Sequence, residues 1–130
     1  MKQKSGSDRL NRLLKEMVLQ EGYLVSVLSD IHGLTIAWAA SEHVDPERQS
    51  AMVALVQRTA VQVTKQLGMA NTDEMTVNDA NGQKLICRPF TIDNNTLILA
   101  VMVAEKDSSY RRATNHVIRE INHIWKTYWA

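Results

Sequence analysis

Apolar and polar positions recur along the chain with two periods, and the switches between them mark its elements. Leu10, Leu13, Leu14 and Met17 follow at intervals of three and four residues, which lays one apolar stripe along a helix. Ser7 or Asp8 is suited to cap that helix, because either side-chain oxygen accepts the free amides of a first turn. Residues 1–6 read as a flexible polar leader to a single domain, 7–130, and Gly22 ends the helix. The period then falls to two. Residues 23–30 and 34–40 are β-rich runs around His32-Gly33, the pattern of a hairpin, with Leu34, Ile36 and Trp38 alternating onto one face.

"HVDPERQ" opens the next helix, with Asp45 as cap, Pro46 at the first helical position and Glu47 in the first turn. Its apolar spacing continues to Leu67, and Gly68 is its stop. Asn81-Gly82 and Asn94-Asn95 then act as turns that divide 72–79, 83–93 and 96–104 into a three-stranded meander. Pro89 lies inside the middle run, where a bulge or an unpaired position must accommodate it. A last helix, capped by Ser108 or Ser109, spans 110–128 and keeps Tyr110, Ala113, Val117, Ile121, Ile124, Trp125 and Tyr128 on one face. The order α-β-β-α-β-β-β-α predicts an α+β layer protein: a single five-stranded antiparallel sheet with helices on both faces. "TLILAVMVA" is apolar on both alternating sides and is placed at the sheet's centre.

The central helix is apolar on too many sides for one contact. Met52, Val53, Val56, Ala60, Val63 and Leu67 gather in one sector, wide enough to sit on a sheet. Ala51, Ala54, Leu55 and Val61 fall outside it, beside Gln57, Arg58, Gln62 and Lys65, and small residues of that kind suit a second packing partner. The strand that follows, "TDEMTVNDA", is polar on one alternating face and reads as a sheet edge, which must be protected or paired. A twofold dimer pairs this edge and this helix with their copies in one step. Its expected interface is Ala51, Ala54, Leu55 and Val61 on the helix and Glu74, Thr76 and Asn78 on the strand.

Composition narrows the function by exclusion. Fifteen basic and fourteen acidic side chains leave a formal charge of +1, no broad field for nucleic acid or anionic membrane. The lone Cys87 excludes an intrachain disulfide and a multi-thiolate zinc site, and with no signal peptide or spanning segment in view a cytoplasmic location is expected. Phosphate-loop, dinucleotide, zinc-protease and serine-hydrolase motifs are all missing from the sequence, so no cofactor and no metal are expected. Asp30 and His32 are read as turn residues, because such a pair makes no site without a nucleophile or third ligand. His116 and His123 are read as solvated helix positions, and Cys87 as a buried structural thiol. Arg111 and Arg112 admit two readings, contacts to acidic groups of a partner or a solvated basic turn. Trp129, one step off the last helix's face, is either a frayed end or an anchor.

Taken together, "GYLVSVLSDIHGLTIAWAA", "AMVALVQRTAVQVTKQLG", "NDANGQKLICRPF" and "NTLILAVMVA" resemble, in order and spacing, the Roadblock/dynein light chain superfamily, a profilin- and longin-like layer fold. One departure is His32, which stands before the turn glycine where Asp or Asn is expected. The resemblance implies a homodimer or heterodimer formed through the central helix and the first meander strand. It implies a non-enzymatic role, in bacterial and archaeal members with Ras-like small GTPases and in eukaryotic ones as scaffolds. Carried onto this chain, it places partner binding on Leu55, Arg58, Gln62 and Lys65, along the outer side of the paired central helices. A purely structural scaffold and a small-ligand sensor are the alternatives.

Overall fold

Eight elements follow the predicted order in the computed structural model, which describes residues 2–104 and 109–129, with side chains from residue 6 onward. They are α1 (Lys2–Glu21), β1 (Val25–Asp30), β2 (Thr35–Ala40), α2 (Pro46–Gln66), β3 (Met75–Asn78), β4 (Lys84–Ile92), β5 (Asn95–Val103) and α3 (Arg111–Tyr128). The strands form one antiparallel sheet in the order β2-β1-β5-β4-β3, so β5 is central and β3 is an edge, as the patterning predicts. Two apolar layers sandwich it. Leu28, Ile86, Leu97, Leu99 and Val101 face α1 and α3, meeting Leu10, Leu14, Val117 and Ile121. Val25, Val27, Cys87, Ile98 and Ala100 face α2, meeting Val53. The central strand is buried on both sides because its two alternating faces serve different layers.

The ends of the elements differ from expectation in instructive ways. Helix α1 starts at Lys2, so residues 2–6 are helical, and Ser7 and Asp8 lie inside the helix instead of capping it. A contact distant in sequence meets this helix at Gly6. Trp129 stacks on Trp125 with ring centroids 4.9 Å apart, and its ring lies so close to Gly6 that a Cβ there would sit 2.5 Å from it. Trp129 is therefore an anchor, and the bare backbone of Gly6 is what admits it. Ser108 lies outside the described residues. Ser109 does not cap α3: the cap position is Tyr110, which makes no side-chain capping bond. The Ser109 carbonyl instead accepts from the Tyr23 hydroxyl at 3.1 Å.

Both meander turns shift by a residue or so. Gly82 alone takes the left-handed backbone at the first, where Asp79 Oδ1 accepts from Asn81 N–H and Gln83 N–H, each at 2.9 Å. Asp93 and Asn94, with φ of 48° and 67°, form the second in place of Asn94-Asn95, and Ile92 faces Asn95 across it. Both central residues of such a two-residue turn need positive φ, which Asp and Asn tolerate. Pro89 needs no bulge. It pairs with Ile98 on one side, and β3 ends opposite Cys87 before reaching it on the other.

On β2 the large residues are not the buried ones. Ala37 and Ala39 face α1, while Trp38 is exposed, because small side chains let the helix come close. The Trp38 amide donates to Asn11 Oδ1 of α1 at 3.0 Å, so a helix side chain takes the donor that β2 turns outward. Arg88 is buried and, among the described residues, pairs with no carboxylate; its guanidinium donates to Thr114 Oγ1 and Asn115 Oδ1 at 2.7 and 2.6 Å, fastening α3 to β4.

Burial pushes the Cys87 thiol from 9.0 up to about 12. Burial, and then the neighbouring Glu21 charge, pushes the Tyr23 phenol from 10.0 up to about 12. Each group holds its proton more tightly in the folded chain than in the unfolded one. The stability this contributes is complete below about pH 9 and drains away as pH climbs toward 12. Urea melts between pH 7 and 11 are expected to weaken first near pH 9. In Cys87→Ala the onset moves up to the range of the tyrosine; an onset that stays near pH 9 would mean the thiol is not its source.

Candidate functional site

Helix α2 begins as its sequence dictates. Asp45 Oδ1 accepts from the amides of Glu47 and Arg48, Pro46 occupies the first turn, and Gly68 leaves the helix with φ of 66°. How the helix sits on the sheet is different from expectation. The buried stripe is Ser50, Val53, Ala54, Gln57 and Ala60, not the most hydrophobic sector. Ser50 is drawn in by a hydroxyl-hydroxyl bond to Thr35 at 2.7 Å, and small residues let the helix lie close to the strands. The consequence is that Met52, Val63 and Leu67, expected against the sheet, stand exposed, Leu67 at 70%.

Two outward stripes result. One runs through Met52, Val56, Val63 and Leu67 and continues to Met69 and to Val77 on the free edge of β3. Five of these six are among the exposed large hydrophobic residues of the chain, and Val56 is half-buried. A groove of about 390 Å³ lies along this flank, lined by Ala60, Val63, Met69 and Met75 among others. The second stripe is Ala51, Leu55, Arg58, Gln62 and Lys65, repeating at intervals of four and three residues, all exposed. The four residues expected to bind a partner, Leu55, Arg58, Gln62 and Lys65, are thus brought together on one face.

The residues expected at a dimer interface are not brought together. Ala54 is 1% exposed beneath α2 and has no surface to offer. Ala51 and Leu55 lie on the second stripe, while Val61 borders a shallow hollow with Pro89 and Phe90. Glu74 is engaged by α3: Tyr110 donates its hydroxyl to Glu74 Oε2, and Arg111 donates to Oε1 at 2.7 Å and to Asp73 at 3.4 Å. Thr76 Oγ1 also donates to Glu74, at 3.3 Å, whereas Asn78 is exposed at the end of β3. The hydrogen bond to Glu74 raises the Tyr110 phenol above its ordinary value, and that to Asp73 does the same for the Arg111 guanidinium. Arg111 is therefore committed within the chain, and acidic residues of the loop before β3 stabilise the start of α3 where its sequence supplies no cap. The apolar Met75 and Val77 were the overlooked positions of β3; they alternate with Glu74 and Thr76 and lie on the α2 side. Their apolar character was the available signal, in a strand read for its polar face.

The first hairpin closes against α2. Asp30 Oδ1 accepts from the amides of His32 and Leu34 at 2.8 and 3.0 Å, so the carboxylate shapes the turn. Gly33 has φ of 90°, and a Cβ there would lie 3.3 Å from the Ala51 backbone. Gly33→Ala is accordingly expected to cost about 1–2 kcal/mol for the left-handed backbone alone, with the contact adding to it. Chemical melts compared with Gly22→Ala, which has nothing within 4 Å, separate the two terms. His43, His116 and His123 are exposed, and among the described residues no three metal-ligating side chains converge. His116 and Arg112 rim a groove of about 470 Å³ between α1 and α3, with Glu16 and Glu21 opposite and Met17 and Val117 in its floor. Cys87 is buried in the α2 layer. No described helix is long and apolar enough to cross a membrane.

No protein-family model matches the sequence, and no curated protein matches it. Solved structures match over nearly the whole chain. MglB of Myxococcus xanthus superposes with a TM-score of 0.78 at 15% identity, over 95% of this chain and 92% of its own. An MglB in a tetrameric arrangement gives 0.74 at 15% identity, over 94% of this chain and 91% of its own. A Roadblock/LC7 domain from Streptomyces avermitilis gives 0.65 at 13% identity, over 90% and 92%. At such identities the likeness is one of fold, and the fold is that of the Roadblock/LC7 superfamily.

Proposed function

Given its Roadblock fold, we propose that the chain is a non-enzymatic homodimeric module that binds a Ras-like small GTPase in the cytoplasm and biases its nucleotide-dependent switch state. The observation that carries the reading is the exposed apolar stripe Met52-Val63-Leu67, continued by Val77 onto the unpaired edge of β3. An apolar band rimmed by polar residues and joined to an open strand edge is costly to leave in water. A second copy related by a twofold axis covers both at once, helix on helix and edge on edge. The dimer so formed leaves the stripe of Leu55, Arg58, Gln62 and Lys65 outward, and this is where the GTPase docks.

The module supplies no reacting group in this reading. Its effect on the GTPase comes from differential affinity for two switch conformations, and it shifts their populations by as much as that difference and no more. Activation of hydrolysis is one candidate outcome and tethering is another. The test is binding to the Ras-like GTPases of the same genome, loaded with GDP or with a non-hydrolysable GTP analogue. Tighter binding to one form, with altered hydrolysis or exchange, supports the regulator. Equal binding to both forms with unchanged rates leaves a dimerisation scaffold, and binding to neither removes the GTPase from the account.

A further inference from the structure

We propose that the tip of the β1–β2 hairpin, through Ile31 and Leu34, joins Leu55 and Arg58 of α2 in one docking patch for the GTPase partner; this rests on the reading just given. Turn residues are ordinarily polar, yet this tip carries two large apolar side chains into water, Leu34 at 66% exposure and Ile31 at 38%. Neither belongs to an apolar layer among the described residues.

The tip is also held still. The Asp30 carboxylate ties two of its amides, Gly33 rests on the Ala51 backbone, Thr35 is bonded to Ser50, and Arg58 donates to the Ile31 carbonyl at 3.4 Å. The first of these stiffens the turn itself, and the other three fix it to α2 at Ala51, Ser50 and Arg58. An apolar group presented rigidly loses little conformational entropy on binding, which is the property of an anchor residue. The tip meets α2 at Ala51 and Arg58, so it adjoins the second stripe and lies away from Met52, Val63 and Leu67. The patch is therefore separate from the surface assigned to the second copy.

Charge selects the occupant. The ion pairs among the described residues are those of Arg111, so neither Arg58 nor Lys65 has a carboxylate partner there. They stand two helical turns apart on one stripe, about 10 Å along the axis. A surface complementary to this patch has an apolar centre to receive Leu34 and Leu55 and carboxylates at its rim to meet the two cations. A folded GTPase surface of that composition is the partner specified.

The test uses the full chain and the GTPase that the wild type binds, loaded with GDP or the non-hydrolysable GTP analogue. Leu34→Glu is expected to weaken the preferred complex roughly tenfold or more, while Leu34→Met stays within about threefold of wild type. Arg58→Glu weakens it independently, by a salt-dependent amount. Circular dichroism and light scattering accompany each variant, and fold and oligomeric state are expected to be unchanged. Wild-type affinity in both Leu34→Glu and Arg58→Glu overturns the patch while leaving the GTPase reading intact. A change of oligomeric state in Leu34→Glu overturns it in favour of a self-contact. A wild type that binds no GTPase overturns the reading and the patch together.

Discussion

Val63→Arg is expected to leave the protein folded and monomeric, sedimenting as a single species of 14.7 kDa at micromolar concentration, where the proposed wild-type dimer is expected at twice that mass. Val63 is half exposed in the isolated chain, near the middle of the Met52-to-Leu67 stripe. A long cation there keeps its head in water, so the substitution costs the monomer little, as exposed substitutions generally do. In a twofold dimer each change is made twice, and the two guanidinium groups face one another in a surface meant to be dry. Desolvating unpaired charges costs several kcal/mol per ion, and each 1.4 kcal/mol weakens association about tenfold, so the dimer is expected to fall apart at micromolar concentration. Retention of the dimer would place the interface elsewhere. Loss of helical content would show instead that Val63 supports the fold.

Ile121→Ala is expected to cost about 2–5 kcal/mol and to lower the melting temperature by roughly 10–20 °C. Ile121 is fully buried where α3 meets the sheet, in the same apolar layer as Leu10 and Leu14 of α1. Truncating it forfeits the transfer free energy of the lost methyl and methylene groups and leaves a cavity between rigid elements that collapse poorly. Against a total stability of about 5–15 kcal/mol for a domain of this size, that is a large share. The neighbouring Ile118, half-buried on the same helix, provides the control: Ile118→Ala is expected to lose less than half as much. Equal losses would mean that α3 does not dock as described.

Most of the fold was legible because its elements are punctuated locally. Asp45-Pro46 fixes the start of α2 and Gly68 its end to within a residue, and the apolar faces of "TLILAVMVA" place β5 at the centre. What misled the reading was distant contact. The first turns of α1 meet Trp129 at Gly6, more than a hundred residues away, and no local cap signals where the helix begins. The orientation of α2 was misread for a related reason. Hydrophobicity alone selects the Met52-Val63-Leu67 sector for the sheet, whereas close packing and the Thr35–Ser50 bond select a smaller and more polar stripe. The sector most apolar in sequence is exposed for that reason, and it became the candidate interface. The alternation places Leu34 on one face of the hairpin, and only its exposure and that of Ile31 beside Arg58 gives the tip another role.

The two margins of the sheet are finished differently, and this sets a stoichiometry. At β3 the strand ends in open backbone beside apolar surface, whereas at β2 the Trp38 amide is already taken by Asn11 and α1 lies alongside. A sheet with two open margins adds copies without limit, as fibrils do. A sheet with one open margin adds a single copy, so strand pairing in the proposed dimer is expected to be self-terminating. In the proposed dimer the joined sheet holds ten strands, with Asn11 on the Trp38 amide at each outer margin, and larger assemblies are expected to form through helix faces.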